Sequence, residues 1–229
     1  MMLGMFFSYS FSRSNRPREC FQRQNFRRFV YGFTLSRTDL CLFFFDRNGI
    51  LKSTPLNIHQ DAVMFVRLIL ALSGDLVPLG FDPALEHLDG KIYITVAKTR
   101  YLVERVMFRR REIVCRGTVC WLVQDEGSGE KMLIKDIWRE AHRDPEHELL
   151  LPAQVIDGVV KLLAIGESII DARSEHGLPP GARTFCRMVL ELGGPTIQHF
   201  KSGLQLLQTL RDAVASGCNL LYVAIVPAD

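Results

Sequence analysis

The chain has 229 residues, enough for one large domain or for two lobes sharing a cleft. Its 48% apolar and 23% charged residues exclude a disordered or fibrous chain, and a net charge of +3 is too small to name a partner. Six cysteines, at 20, 41, 115, 120, 186 and 218, include no C-x-x-C pair, which argues against a structural zinc site or a disulfide framework and for reduced thiols in the cytoplasm or nucleus.

Residues 1 to about 20 are expected to lack order. The apolar patch in "MMLGMFFSYSFS" has no positive residue before it and no small-residue cleavage pattern behind it, so it is not read as a signal peptide. Six arginines between Arg13 and Arg28, interleaved with Phe21 and Phe26, could form a nucleic-acid footprint. The rest of the chain carries no matching basic face, which favours a solvated basic segment and makes nucleic acid a poor partner.

The stretch "RRFVYGFTLSRTDLCLFFFDRNGIL" alternates and turns as a β-hairpin does, with Asp46 to Gly49 supplying a second turn. In "HQDAVMFVRLILALSG" the spacing of Val63, Val66 and Leu70 predicts a helix that stops at Gly74. Its apolar core, residues 63–72, is too short for a bilayer and carries Arg67, so no membrane span is expected. Strand composition returns in "KIYITVAKTRYLVERVMFRRREIVCRGT".

The segment "CRGTVCWLVQDEGSGEKMLIKDIW", 115–138, reads as a turn at Gly117, a strand through Val119, Trp121 and Val123, a polar hairpin, and a second strand through Met132, Leu133 and Ile134 to Lys135. A turn with small side chains lets backbone N–H groups approach phosphate oxygens, and a lysine at a fixed place across the hairpin neutralises their charge. Such a lysine needs a carboxylate to orient it, and Glu146 and Glu148 stand on a short helix, 146–151, ended or bent by Pro152. Trp121 is read as core packing. "GLPPGA", 177–182, is a loop, and "MVLELGGPTIQHF", 188–200, reads as a buried strand, an acidic residue, a two-glycine bend and a new helix. An amphipathic helix is expected over 202–216, with Leu206, Leu207, Leu210, Ala213 and Val214 on one side.

This succession is the order of parts in a protein-kinase small lobe: glycine loop, strand lysine, helix glutamate, hinge. The strings "RRFVYGFTL", "FDRNG", "FVRLILAL", "LGFDP", "RGTVCW", "LIKDIW" and "LQTLRDAV" together resemble the fungal-type protein kinase family, over residues of about 22 to about 215. The resemblance implies an α+β fold. It divides the chain into a poorly ordered basic segment (1–21), a family-specific strand and helix extension (22–110), a kinase-like small lobe of antiparallel sheet plus C-helix with its hinge (111–192), and the first helices of a large lobe (193–229). It further implies ATP and Mg2+ as cofactors and phosphorylation of serine or threonine in a protein substrate that the sequence does not identify.

Residue by residue, the resemblance puts Lys135 on the α- and β-phosphates and Glu146 as its helix partner, with Glu148 as the alternative. Gly117 would be the middle glycine of the phosphate loop, followed by Thr118. Leu122 would cap the adenine, Leu190 would be the gatekeeper, and Glu191 with Leu192 would offer hinge backbone groups. Cys115 and Cys120 stand where the outer two glycines belong. The string "HRD" at 142–144 precedes the helix glutamate and has leucine at 149 where asparagine is required, so it is read as loop and helix start, with Asp144 as N-cap and Pro145 at the first helical position. In family order the catalytic aspartate falls on Asp229 in "IVPAD". The metal-holding asparagine and D-F-G aspartate do not follow it, so a truncated, inactive form or pseudokinase is expected. The alternative is a non-catalytic kinase-like interaction module with a vestigial cleft.

Overall fold

The computed structural model describes residues 7–8, 15–24, 26–110, 112–166, 172–193 and 199–225. Its elements are β1 (Phe7–Ser8), α1 (Asn15–Arg23), β2 (Val30–Ser36), β3 (Asp39–Asp46), β4 (Gly49–Lys52), β5 (Leu56–Asn57), α2 (Ala62–Leu72), β6 (Leu85–Leu88), β7 (Lys91–Val96), β8 (Thr99–Arg109), β9 (Val119–Asp125), β10 (Lys131–Glu140), α3 (Glu146–Ala153), β11 (Leu162–Ile165), α4 (Ala172–Glu175), β12 (Arg183–Glu191) and α5 (Gly203–Ile225). This is the expected α+β chain, dominated by antiparallel sheet. No helix of the described residues is long and apolar enough to cross a membrane.

The first sheet runs β1-β4-β3-β2, with β5 on β3. The predicted hairpin is β2–β3, in register from Val30 with Phe45 to Ser36 with Asp39, and Arg37 takes positive φ at its turn. The second turn, Arg47–Asn48, is fastened by Asp46, whose Oδ1 accepts the Asn48 N–H at 2.9 Å. Helix α1 lies inside the segment expected to lack order. Its anchor is Phe21, buried beneath the Arg47 guanidinium at 4.5 Å from the ring centre. Arg27 and Arg28 also serve the fold. Arg27 stacks on Phe81 and donates to the Leu79 carbonyl, and Arg28 is buried.

The second sheet is antiparallel throughout, in the order β11-β12-β10-β9-β8-β7-β6. Two register shifts in β8, between Val103 and Arg105 and between Val106 and Phe108, add twist. The sheet coils until Ile94 and Val96 of β7 share a core with Val189 of β12, around Trp121, Val123 and Ile134. Trp121 is core, as its strand position predicts. A second core of Phe29, Phe44, Leu51, Trp138 and Phe185 joins the two sheets.

Helix α2 forms over the predicted residues, yet none of them is buried, and Val63, Val66 and Leu70 are exposed. Periodicity dictates the helix but not its cover. Helix α5 extends the predicted 202–216 helix to Ile225, and Leu207, Leu210 and Val214 of its apolar face are exposed. The Ser216 hydroxyl ties it to the chain by donating to the Asp157 carbonyl at 2.8 Å.

The strands meet the segment 76–82 through Gly80. Its carbonyl accepts the Arg28 N–H at 2.7 Å, its φ is +101°, and a Cβ there would lie 2.1 Å from the Phe29 carbonyl oxygen. Neither the dihedral nor the space admits a side chain. Gly80→Ala is therefore expected to destabilise the protein by more than about 2 kcal/mol, read as a lower urea midpoint at unchanged slope.

Candidate active site

Strand β10 carries "KMLIKDIWRE", and successive side chains of a strand point to opposite faces. Ile134, Asp136 and Trp138 face the interior and are buried. Leu133, Lys135 and Ile137 therefore face the other way. Asp136 makes this alternation rigid: its carboxylate accepts the Trp121 indole N–H at 3.0 Å and is gripped by the Arg187 guanidinium at 2.7 and 2.8 Å. Arg187 also donates to Asp82 at 2.7 Å. Burial disfavours its charge, but Asp136 and Asp82 outweigh that and hold its pKa above the ordinary arginine value.

On the opposite face, Lys135 stands between Cys120 of β9 and Met188 of β12. Its Nζ donates to both carboxylate oxygens of Glu146, at 2.5 and 2.7 Å. The pair is half-buried, with Lys135 the more enclosed. Glu146 is the first residue of α3, where a carboxylate also meets the positive end of the helix. Glu148, two residues further on and so turned toward the other side of the helix, is exposed. Burial pushes the neighbouring Cys120 thiol up, with the Lys135 charge pulling the other way.

A cavity of about 260 Å³ opens beside the pair, lined among others by Arg116, Arg139, Arg143 and Cys186. Leu122 and Leu190 are buried on the same face, each directly across from Leu133, one pleat period from Lys135. That repeat is about 6.6 Å along the strand. They do not line the cavity, which opens toward the far end of β10. Glu191 is exposed and its N–H donates to the Lys161 carbonyl at 2.9 Å, and Leu192 is exposed beside it. Asp229 and residues 194–198, on which most of the expected bend and new helix falls, lie outside the described residues.

Gly117, expected as the middle glycine of the phosphate loop, packs against a side chain of the first sheet. Its φ is +49°, and a Cβ there would lie 2.6 Å from the Arg47 Nε, so the missing side chain makes room for a guanidinium. Arg47 in turn donates to the Glu112 carbonyl at 2.8 Å, holding the loop between β8 and β9 onto the first sheet. Burial lowers its pKa, with Cys115 and Asp46 opposing. Thr118 is buried, and its carbonyl accepts the Arg110 N–H at 2.9 Å.

His142, Arg143 and Asp144 form the exposed turn between β10 and α3, where Arg143 pairs with Glu140 at 2.8 Å. The N-cap of α3 is Pro145, in extended conformation, and not Asp144. No side chain caps the helix; the Pro145 carbonyl instead accepts the Glu148 N–H at 3.0 Å. The φ of Pro145, −66°, would suit a helix, but its ψ of 140° is extended, so the helix begins one residue later than the motif implies.

Sequence reasoning missed Arg47, the Asp82–Arg187–Asp136 network, and the buried pair of Asp46 with Arg173, at 2.7 and 2.8 Å. A usable signal existed for Asp136 and Arg187. In "LIKDIW" and "TFCRMVL" a charge sits inside an apolar strand, and alternation sends one member of Lys135–Asp136 into the core, where it needs an opposite charge.

Among the described residues no three His, Cys, Asp or Glu side chains group closely enough to hold a metal. A family model described as fungal protein kinase matches residues 13–176. The match begins within the arginine-rich segment and ends before β12, short of residue 215 where the motif resemblance extends. No curated protein matches the chain.

Proposed function

The chain belongs to the fungal protein kinase family, and from that premise we propose that β8–β12 with α3 act as the nucleotide-binding lobe of a serine/threonine kinase-like protein. The observation that carries this reading is the Lys135–Glu146 pair, bidentate and half-buried beside a cavity. In protein kinases a strand lysine paired with a helix glutamate contacts the α- and β-phosphates. Here α3 takes the part of the C-helix, although it is an eight-residue helix with its glutamate at the first position. In this reading Leu122 caps the adenine, Leu190 is the gatekeeper, and the backbone of Glu191 and Leu192 forms the hinge.

The described residues fit the nucleotide better than its metal. Lys135 supplies a fixed cation for phosphate oxygens, whereas among the described residues no three His, Cys, Asp or Glu side chains group closely enough to hold Mg2+. Magnesium, when bound with ATP, would neutralise the β- and γ-phosphates. The chain's own residues bind and orient the nucleotide, and we expect no phosphoryl transfer from them alone.

A second reading, a non-catalytic interaction module, draws on Gly117, whose open side is filled by Arg47. A thermal-shift titration separates the two. Ligand at about one hundred times its Kd stabilises by about 2.7 kcal/mol, which for a chain of this size raises Tm by roughly 5–10 °C. Such a rise with millimolar ATP supports the nucleotide lobe; a flat response supports the module.

A further inference from the structure

We infer that Arg116 is the phosphate-binding residue of the β8–β9 loop, taking over by its side chain what a glycine-rich loop does with backbone N–H groups. The inference rests on the nucleotide-lobe reading and names the residue that would discriminate triphosphate from nucleoside there.

Two observations lead to it. Two of the loop's backbone donors are already committed: the Cys115 N–H donates to the Ile113 carbonyl at 3.1 Å and the Gly117 N–H to the Cys115 Sγ at 3.1 Å. Arg47 is packed where a Gly117 side chain would stand, so a guanidinium already occupies the space beside that glycine.

The second observation is the state of the four cations around the cavity. Lys135 is held by Glu146. Arg143 is paired with Glu140 at 2.8 Å, and Arg139 spends its Nη1 on the carbonyls of Glu140, Ala141 and Arg143. The Arg116 guanidinium is exposed and, among the described residues, makes no hydrogen bond or ion pair. Its backbone is nevertheless fixed, because its carbonyl accepts the Trp138 N–H at 2.7 Å and the next residue is locked against Arg47. An unspent planar fork on an anchored backbone, lining the same cavity as the strand lysine, suits bidentate phosphate recognition. Its partner is the outer part of a nucleoside di- or triphosphate.

The test compares ATP, ADP and adenosine binding, each by calorimetric titration, to the full chain and to Arg116→Ala and Arg116→Lys. Arg116→Ala is expected to weaken ATP by about tenfold to a hundredfold, the range of a charge-assisted hydrogen bond, while adenosine binding and the ligand-free Tm stay unchanged. Arg116→Lys, which keeps the charge and loses the fork, should fall between. If the wild type binds ATP and Arg116→Ala binds it equally well, the inference is overturned and the nucleotide reading stands. Equal weakening of ATP and adenosine also overturns it, since that marks a structural role. If the wild type binds no ATP, both fail together.

Discussion

An Arg187→Met variant is expected to lose roughly 3–5 kcal/mol of stability, the cost of breaking a buried ion pair from one side. Methionine fits the space but leaves the Asp82 and Asp136 carboxylates, each nearly sealed from solvent, without their shared cation. Destabilisation of this size approaches the whole stability of many domains, so the variant should be largely unfolded at physiological temperature. Adding Asp82→Asn to Arg187→Met should recover part of the loss by removing one stranded charge. Urea denaturation of the single and double variants reads both effects; additive losses would show that the network is not coupled. The consequence reaches function, because Asp136 sits beside Lys135 and its inward anchoring is what turns Lys135 outward.

The second large effect is on ligand. Lys135→Met should abolish the ATP-dependent rise in Tm while changing ligand-free stability by less than about 1 kcal/mol, as for partly exposed residues away from the core. The fold tolerates the change because Lys135 is not fully enclosed and Glu146, left alone, remains at a helix start with access to water. Glu146→Gln should weaken ATP less than Lys135→Met does, since the ammonium survives and loses only its aim. Loss of both binding and folding in Lys135→Met would mean that the pair is a structural clasp and not a phosphate site.

How much of this was legible before any coordinates follows from the range of each interaction. The β2–β3 hairpin, α2 and the β9–β10 hairpin are local, and turn residues and periodicity reveal them. The Lys135–Glu146 pair was legible for the same reason: eleven positions separate the two residues, across one turn into a short helix. The Arg187–Asp82 contact spans 105 positions and Arg173–Asp46 spans 127, and no local pattern encodes such a distance. Gly117 is a subtler case. Its glycine identity correctly signals close approach, but the approaching group is Arg47, from a different sheet. The exposed faces of α2 and α5 show the converse, since amphipathic spacing announces a surface to be covered without saying by what.

The central claim is that the amine of Lys135 lies against the phosphates of a bound nucleotide. An ATP analogue bearing an acyl phosphate transfers its acyl group to an amine at that place, and peptide mass spectrometry identifies the modified residue. The account predicts acylation of Lys135, suppressed by excess ATP and unaffected by excess adenosine-free buffer salts. Labelling spread over Lys131, Lys161 and other surface lysines, with Lys135 unmodified or unprotected by ATP, would contradict it.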